Sequence, residues 1–196
     1  TRALITAMDV PLGLAVGNAI EVTESLEVLA GGGPADLIEL VIALANEMLD
    51  IAGINADPRE AITSGRAMDH WRRMVSAQGG DPDAPLPVAR HQHVITAPVA
   101  GPFSTLEAYG VGVAAWRLGA GRAHKEDEII HGAGVQLHAK PGDMLSEGQP
   151  IMTLLADDEA RLPAAIAELE GSWEIGGEPM DRHPLVITRF DEHTRG

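Results

Sequence analysis

The sequence predicts an α/β unit, one strand followed by helices, and after it an α+β unit with a β-rich core. Three observations carry this reading. The apolar run Ala3-Leu4-Ile5-Thr6-Ala7-Met8 empties into Asp9-Val10-Pro11-Leu12-Gly13, as a buried strand does when it enters a turn. Apolar residues at helical spacing then recur between Ala19 and Gln78. From Val94 onward the texture changes to short β-like runs punctuated by Gly and Pro.

The flanks of the first run imply a strand of a parallel sheet, buried on both faces. Such a strand can neither cover both faces nor pair its backbone alone, so its expected neighbours belong to a larger α/β domain, and the chain reads as a fragment of one. Asn18 is expected to cap a helix over Ala19 to Ala30, with Glu21 reaching back in a box-like arrangement and Gly31-Gly32-Gly33 as the stop. A second helix is expected with Asp36 as its cap, Gly53 as its end, and Leu37, Leu40, Val41, Leu44, Ala45, Met48 and Leu49 on one stripe. Each large apolar member of that stripe is worth about 1.5–3 kcal/mol when buried, against about 1 kcal/mol for a cap. Packing is therefore expected to hold this helix. Asp57-Pro58-Arg59-Glu60 repeats the cap logic with Pro at the first helical position, and the segment runs through Ser64-Gly65 to Gln78, with Trp71, Met74 and Val75 as its core side.

Gly79-Gly80-Asp81-Pro82-Asp83-Ala84-Pro85-Leu86-Pro87 is too rich in Gly and Pro for regular structure and marks the boundary between two units. Beyond it, strands are expected at Val94 to Val99, Val135 to Ala139, Ile151 to Leu155 and Leu185 to Phe190. One helix, from about Glu107 to Leu118, interrupts them and is stopped by Gly119-Ala120-Gly121. Asp157-Asp158 leads into a further short helix containing Ala165, Ile166 and Leu169, and the last six residues read as a frayed tail.

Composition narrows the function. The 196 residues carry a net charge of −15 and include no cysteine, which removes disulfides, thiolate zinc sites and cysteine nucleophiles and makes a reducing cytoplasm the default. No apolar stretch approaches the roughly 20 residues of a membrane span. With Lys125 and Lys140 as its lysines, the chain repels the phosphates of nucleic acids. The basic cluster Arg117, Arg122, His124 and Lys125 reads as a solvated face rather than an anion pocket. The amino end, Thr1-Arg2-Ala3, shows no initiating Met and no signal region, in keeping with the fragment reading.

Other constellations are weaker than they look. His91-Gln92-His93 puts two imidazoles on one side of a strand, but no third ligand of defined spacing accompanies them. Gly119-Ala120-Gly121-Arg122 lacks the strand-before, helix-after setting of a phosphate loop. No Gly-x-Ser-x-Gly elbow supports a hydrolase triad, and Glu126-Asp127-Glu128 reads as a solvated turn. The turns of His138-Ala139-Lys140-Pro141-Gly142-Asp143 and Glu147-Gly148-Gln149-Pro150 are those of lipoyl and biotinyl carrier modules. Lys140, however, precedes Pro141 and lacks the Met-Lys setting of a carrier lysine. A barrel-sandwich-like β core without an attached cofactor is the better reading.

The most informative stretch runs from Ala3 to Glu24, Ala-Leu-Ile-Thr-Ala-Met-Asp-Val-Pro-Leu-Gly-Leu-Ala-Val-Gly-Asn-Ala-Ile-Glu-Val-Thr-Glu. It resembles the thymidine and pyrimidine-nucleoside phosphorylases closely. The similarity continues through Gly65-Arg66-Ala67, Met74 to Asp81, Leu118 to Arg122, Lys125 to Ile129, Gly134-Val135 and Gly142-Asp143, and so covers nearly the whole chain. It implies the later half of the nucleoside-phosphorylase α/β domain at 1–78, a linker at 79–90 and the family's C-terminal α+β domain at 91–196.

The activity implied is phosphorolysis of a pyrimidine nucleoside to base and pentose 1-phosphate, by a cytoplasmic homodimer without an organic cofactor. The family's phosphate loop, with its Lys and Ser, and its pyrimidine-holding Arg, Ser and Lys lie upstream of the Ala-Leu-Ile motif. The chain alone is therefore expected to be inactive, with no catalytic residue of its own. The resemblance also implies a potassium ion held by main-chain oxygens of Leu12 and Ala15 and by the Glu24 carboxylate, a suitable donor set for a large hard cation. Ala7 and Asp9-Val10 depart from the family pattern beside that turn and leave the metal preference open. Pentose preference does not carry over. The competing reading is a non-catalytic biotinyl- or lipoyl-like module with a helical adaptor.

Overall fold

The run that opens the chain does form a strand, β1 (Ala3–Thr6), but its partner is antiparallel. It pairs with β9 (Val186–Phe190), Ala3 opposite Phe190 and Ile5 opposite Thr188, in a sheet of two strands. The expected strand of a parallel sheet, buried on both faces, is thus corrected: Ile5 is 46% and Phe190 48% exposed. Alternation explains why. Arg2 and Arg189 point to one side of the ribbon and bridge Glu47 and Asp50 of α2 (Ala35–Ala52) at 2.9–3.7 Å. The opposite side, bearing Ile5 and Phe190, stays open because two strands cannot enclose themselves. Hydrogen bonds to Asp50 and Glu47 raise the Arg2 guanidinium above its ordinary value. A raised folded-state value stabilises below the unfolded one, so Arg2 holds its charge through neutral pH and gives it up only in strong alkali.

This computed structural model describes residues 1–122, 124–178 and 184–191. The chain divides into two units, the first formed by Thr1–Ala7, Glu24–Pro85 and the described part of His183–Gly196, the second by Met8–Thr23 and Leu86–Arg182. Residues 8–23, expected with 1–78, group with the second unit, residues 184–191, expected with 91–196, group with the first, and the linker expected at 79–90 divides after Pro85. Apart from Asp191, the tail expected over the last six residues lies outside the described ones.

Within the first unit, local signals place the helices well and packing less so. Asp57 caps α3 (Pro58–Thr63) by accepting from the Arg59 amide at 2.9 Å, and α4 (Arg66–Ala77) follows. α2 begins one residue before Asp36, with Pro34 at the cap position; Asp36 instead accepts from the Leu37 amide. Gly53, in the left-handed region at φ 67°, ends it as expected. The stripe predicted to be core is half open. Ile42 is the buried residue of α2, while Val41, Leu44 and Met48 are exposed. On α4, Met74 is exposed and Trp71 and Val75 are half-buried.

The second unit is built of two antiparallel sheets. One takes β2 (Ala15–Gly17), β3 (His91–Thr96), β5 (Gly134–Leu137) and β7 (Pro150–Ala156) in the order β2-β5-β7-β3. The other takes β4 (Gly101–Leu106), β6 (Met144–Leu145) and β8 (Trp173–Ile175) in the order β6-β4-β8. Helix α1 (Ala19–Leu29) starts in this unit and continues past the partition at Glu24. α5 (Ala108–Ala115) runs on through one wide turn, Trp116–Ala120, where Gly119 sits at φ 109° with Ile130 Cδ1 2.7 Å from where a Cβ would lie. Only glycine fits there, so the predicted stop is real. Asp158 caps a 3-10 turn, Glu159–Arg161, ahead of α6 (Leu162–Glu168).

Phe103, Leu106, Leu118, Val135, Ile151 and Leu154 are fully buried members of one core cluster, with both sheets and α5 contributing. The architecture is therefore α+β, and every strand pairing among the described residues is antiparallel.

Candidate functional site

Residues 9–19 thread a turn and a three-residue strand against the second unit, and donors from several elements hold their carbonyls. The Asp9 oxygen accepts from the Ala108 amide at 2.8 Å, and the Leu14 oxygen from the Leu137 amide at 2.7 Å and Gln136 Nε2 at 3.0 Å. Gly13 turns the chain at φ 67°. At the start of α1, Glu21 Oε1 accepts from the Gly17 amide at 2.7 Å, so the predicted reach-back occurs one residue earlier than a capping box. Asn18 does not cap through its side chain. Its Nδ2 donates to the Ala120 oxygen at 2.6 Å, tying the helix start to the wide turn after α5.

Lys140 is the most telling member. Its Nζ donates to the Pro11 oxygen at 3.0 Å across 129 residues of sequence. A half-buried ammonium tied into the fold does not present itself as a carrier lysine does, which removes the main support for the carrier reading. Lys140→Met, which keeps the aliphatic stem, is expected to cost about 1–2 kcal/mol, the worth of a partly exposed charge-assisted hydrogen bond. Urea unfolding and amide exchange of the segment preceding β2 check this; unchanged values for both would remove the role.

Of the residues expected to hold potassium, Leu12 is half-buried in the turn and Ala15 is buried at the start of β2, both in the second unit. Glu24 is a buried carboxylate of α1, 8% exposed, and falls to the first unit. Backbone oxygens in a turn and one buried carboxylate are donors that suit such an ion. Sequence reasoning weighed Lys140 as a carrier lysine and Asn18 as a cap, and missed the partners of both and of Gln136. These partners stand 129, 102 and 122 residues away, so no local spacing announces them.

Three members of the basic cluster engage neighbours. Arg117 stacks on Trp116 at 4.6 Å and pairs with Glu168 at 2.9 Å, Arg122 donates to the Lys125 oxygen at 3.2 Å, and the His124 amide donates to Asp127. A cleft of about 430 Å³ lies beside it, lined by Trp116, Arg117 and Arg161 but also by Asp127 and Glu128. Opposed charges make it a poor anion pocket. His91 and His93 lie exposed on β3, and no group of three or more His, Asp or Glu able to hold a metal occurs among the described residues. No described helix is long and apolar enough to cross a membrane.

Comparison with known proteins gives these features a context. Residues 103–176 match the family model of the pyrimidine nucleoside phosphorylase C-terminal domain. Over 191 residues the chain is 50% identical to a thymidine phosphorylase of Mycobacterium tuberculosis, covering 97% of this chain and 45% of that protein. It is 40% identical over 201 residues to a pyrimidine-nucleoside phosphorylase of Bacillus subtilis, covering 95% and 46%, and 39% identical over 188 residues to one of Staphylococcus haemolyticus, covering 89% and 43%. The matched region is the C-terminal part of these relatives, and the chain spans less than half their length.

Proposed function

From a chain whose residues 103–176 match the model of the pyrimidine nucleoside phosphorylase C-terminal domain, we propose that it supplies the C-terminal part of a thymidine or pyrimidine-nucleoside phosphorylase. The observation that carries this is the 50% identity maintained over 191 residues, far beyond the domain alone. In the reaction, a phosphate oxygen attacks C1′ of the nucleoside, the bond from C1′ to the pyrimidine nitrogen breaks, and the base leaves with the electron pair and takes a proton. The products are base and (deoxy)ribose 1-phosphate. Groups that bind phosphate and pyrimidine belong to the portion of the relatives outside the match. This chain's share is to carry the Pro11-Leu12-Gly13 turn, the start of α1 and the C-terminal domain.

Potassium belongs to the same reading, with main-chain oxygens of Leu12 and Ala15 and the Glu24 carboxylate as ligands. The Glu24 carboxylate, 8% exposed, supports it, since one carboxylate with backbone carbonyls is a donor set that suits a large hard cation. A homodimeric, cytoplasmic enzyme, and a barrel-sandwich form for its β core, complete the proposal.

The test is base release from thymidine or uridine plus inorganic phosphate. The 196-residue chain alone is expected to give none. A single polypeptide joining the unmatched part of the M. tuberculosis relative to this chain is expected to turn over, and failure of that fusion, correctly folded, would remove the reading. In the same fusion Glu24→Gln is expected to raise the potassium concentration for half-maximal activity severalfold. An unaltered salt dependence would count against Glu24 as a ligand.

A further inference from the structure

The Pro11 and Leu14 oxygens are gripped by side chains from β5 and the loop after it. Lys140 Nζ donates to the Pro11 oxygen at 3.0 Å, and Gln136 Nε2 joins the Leu137 amide on the Leu14 oxygen, at 3.0 and 2.7 Å. All of these residues belong to the second unit. The Lys140 backbone is itself pinned. Its amide donates to Asp143 Oδ2 at 2.8 Å, its oxygen accepts from the Asp143 amide at 3.0 Å, and the Gly142 amide donates to the oxygen of the fully buried Phe103 at 2.8 Å. The ammonium thus reaches the turn from a base fastened to the core, and a charged donor makes the stronger kind of hydrogen bond.

Each gripped oxygen immediately precedes a proposed potassium ligand, Leu12 after Pro11 and Ala15 after Leu14. Peptide units are planar, so once one carbonyl is fixed only two torsions separate it from the next. At Ala15 the ladder sets the direction. Leu14 and Leu137 stand opposite each other as a hydrogen-bonded pair, so Ala15 and Gln136 form the non-hydrogen-bonded pair beside it, and the Ala15 backbone groups face away from β5. Since β2 is the outermost strand of its sheet, they face the open edge.

We propose that Lys140 and Gln136 are positioning residues for the potassium ion: by holding the Pro11 and Leu14 oxygens they preset the Leu12 and Ala15 oxygens, and neither is a ligand itself. This rests on the potassium reading above and extends it to side chains of the C-terminal β core. Without the two grips the ligand carbonyls must be ordered when the ion binds, and that ordering is subtracted from affinity. The signature is weaker potassium binding with an unchanged reaction once potassium saturates.

In the fusion described above, Lys140→Met is expected to raise the potassium concentration for half-maximal turnover severalfold, with kcat at saturating potassium and the nucleoside KM unchanged. Lys140→Arg, which keeps a charged donor, is expected to restore most of the loss. Gln136→Met alters no charge and is expected to act in the same direction but less, because the Leu137 amide still holds the Leu14 oxygen. The rise in Tm that potassium produces over choline at equal ionic strength reads binding without turnover and is expected to shrink in the same order. In the 196-residue chain alone, amide exchange over residues 12–17 is expected to quicken in Lys140→Met. Ile166→Val, which trims packing on α6, controls for general loosening and is expected to leave both potassium readouts unchanged. A shift from Glu24→Gln with none from Lys140→Met or Gln136→Met overturns the positioning role and keeps the metal reading. A fusion indifferent to potassium in both readouts sinks the metal reading and the role with it. Tighter potassium binding in Lys140→Met would show that repulsion by the ammonium outweighs placement, and an equal shift from Ile166→Val would show that loosening suffices; either overturns the role.

Discussion

Phe103→Ala is expected to lower the unfolding free energy of the second unit by about 3–5 kcal/mol. Phe103 is fully buried at the centre of β4 and belongs to the cluster that both sheets share. Its backbone amide donates to the Asp143 oxygen and its carbonyl accepts from the Gly142 amide, both at 2.8 Å, and alanine keeps both bonds. The loss therefore comes from the ring alone, as transfer energy plus the cavity left in a framework pinned on two sides. Against a typical total of about 5–15 kcal/mol it removes a large share. Urea unfolding measures it. A change below about 1 kcal/mol would mean that the site collapses freely, and the two-sheet core would have to be redrawn.

Gly17→Ala comes next, at roughly 1–3 kcal/mol. A Cβ at Gly17 would lie 2.6 Å from the Ala133 oxygen and 3.1 Å from Gly134 Cα, with Ile20 Cγ1 at 3.2 Å. The first two are backbone, so relief requires β2 and β5 to separate. Gly17 faces Gly134 across that pair, and its amide is held by Glu21, so the substitution also loosens the start of α1. Faster amide exchange in β5 together with lower stability is the expected result. Gly112→Ala provides the contrast. Nothing lies within 4 Å of its Cβ position inside α5, and alanine there is expected to stabilise by roughly 0.5–1 kcal/mol. Equal effects at the two positions would show that helix and strand propensity, rather than close approach, governs glycine here.

Much of the local structure was legible in the residues. Asp57-Pro58 starts α3, Gly53 ends α2 and Gly119 stops the turn after α5, because caps and left-handed stops involve atoms only a few residues apart. Strands β5 and β7 were legible as short β-like runs, Val135 to Ala139 and Ile151 to Leu155. β2 was not: three residues, Ala15-Val16-Gly17, become a strand only because β5 lies beside them. Asp36 and Asn18 were read as caps from their type alone. The structure uses the first inside the helix and the second as a distant strut.

By itself the sequence determined the helices, the β-rich second half and the likeness to the pyrimidine-nucleoside phosphorylases, all of which depend on order and short-range spacing. Only the tertiary structure decided which apolar faces are covered, that β1 pairs antiparallel with β9, and that Lys140 grips the Pro11 oxygen in the turn expected to bind a cation. The physical reason is common to all three. Burial and long-range hydrogen bonds depend on what the closed chain brings alongside a residue, and neighbours in sequence carry no record of it.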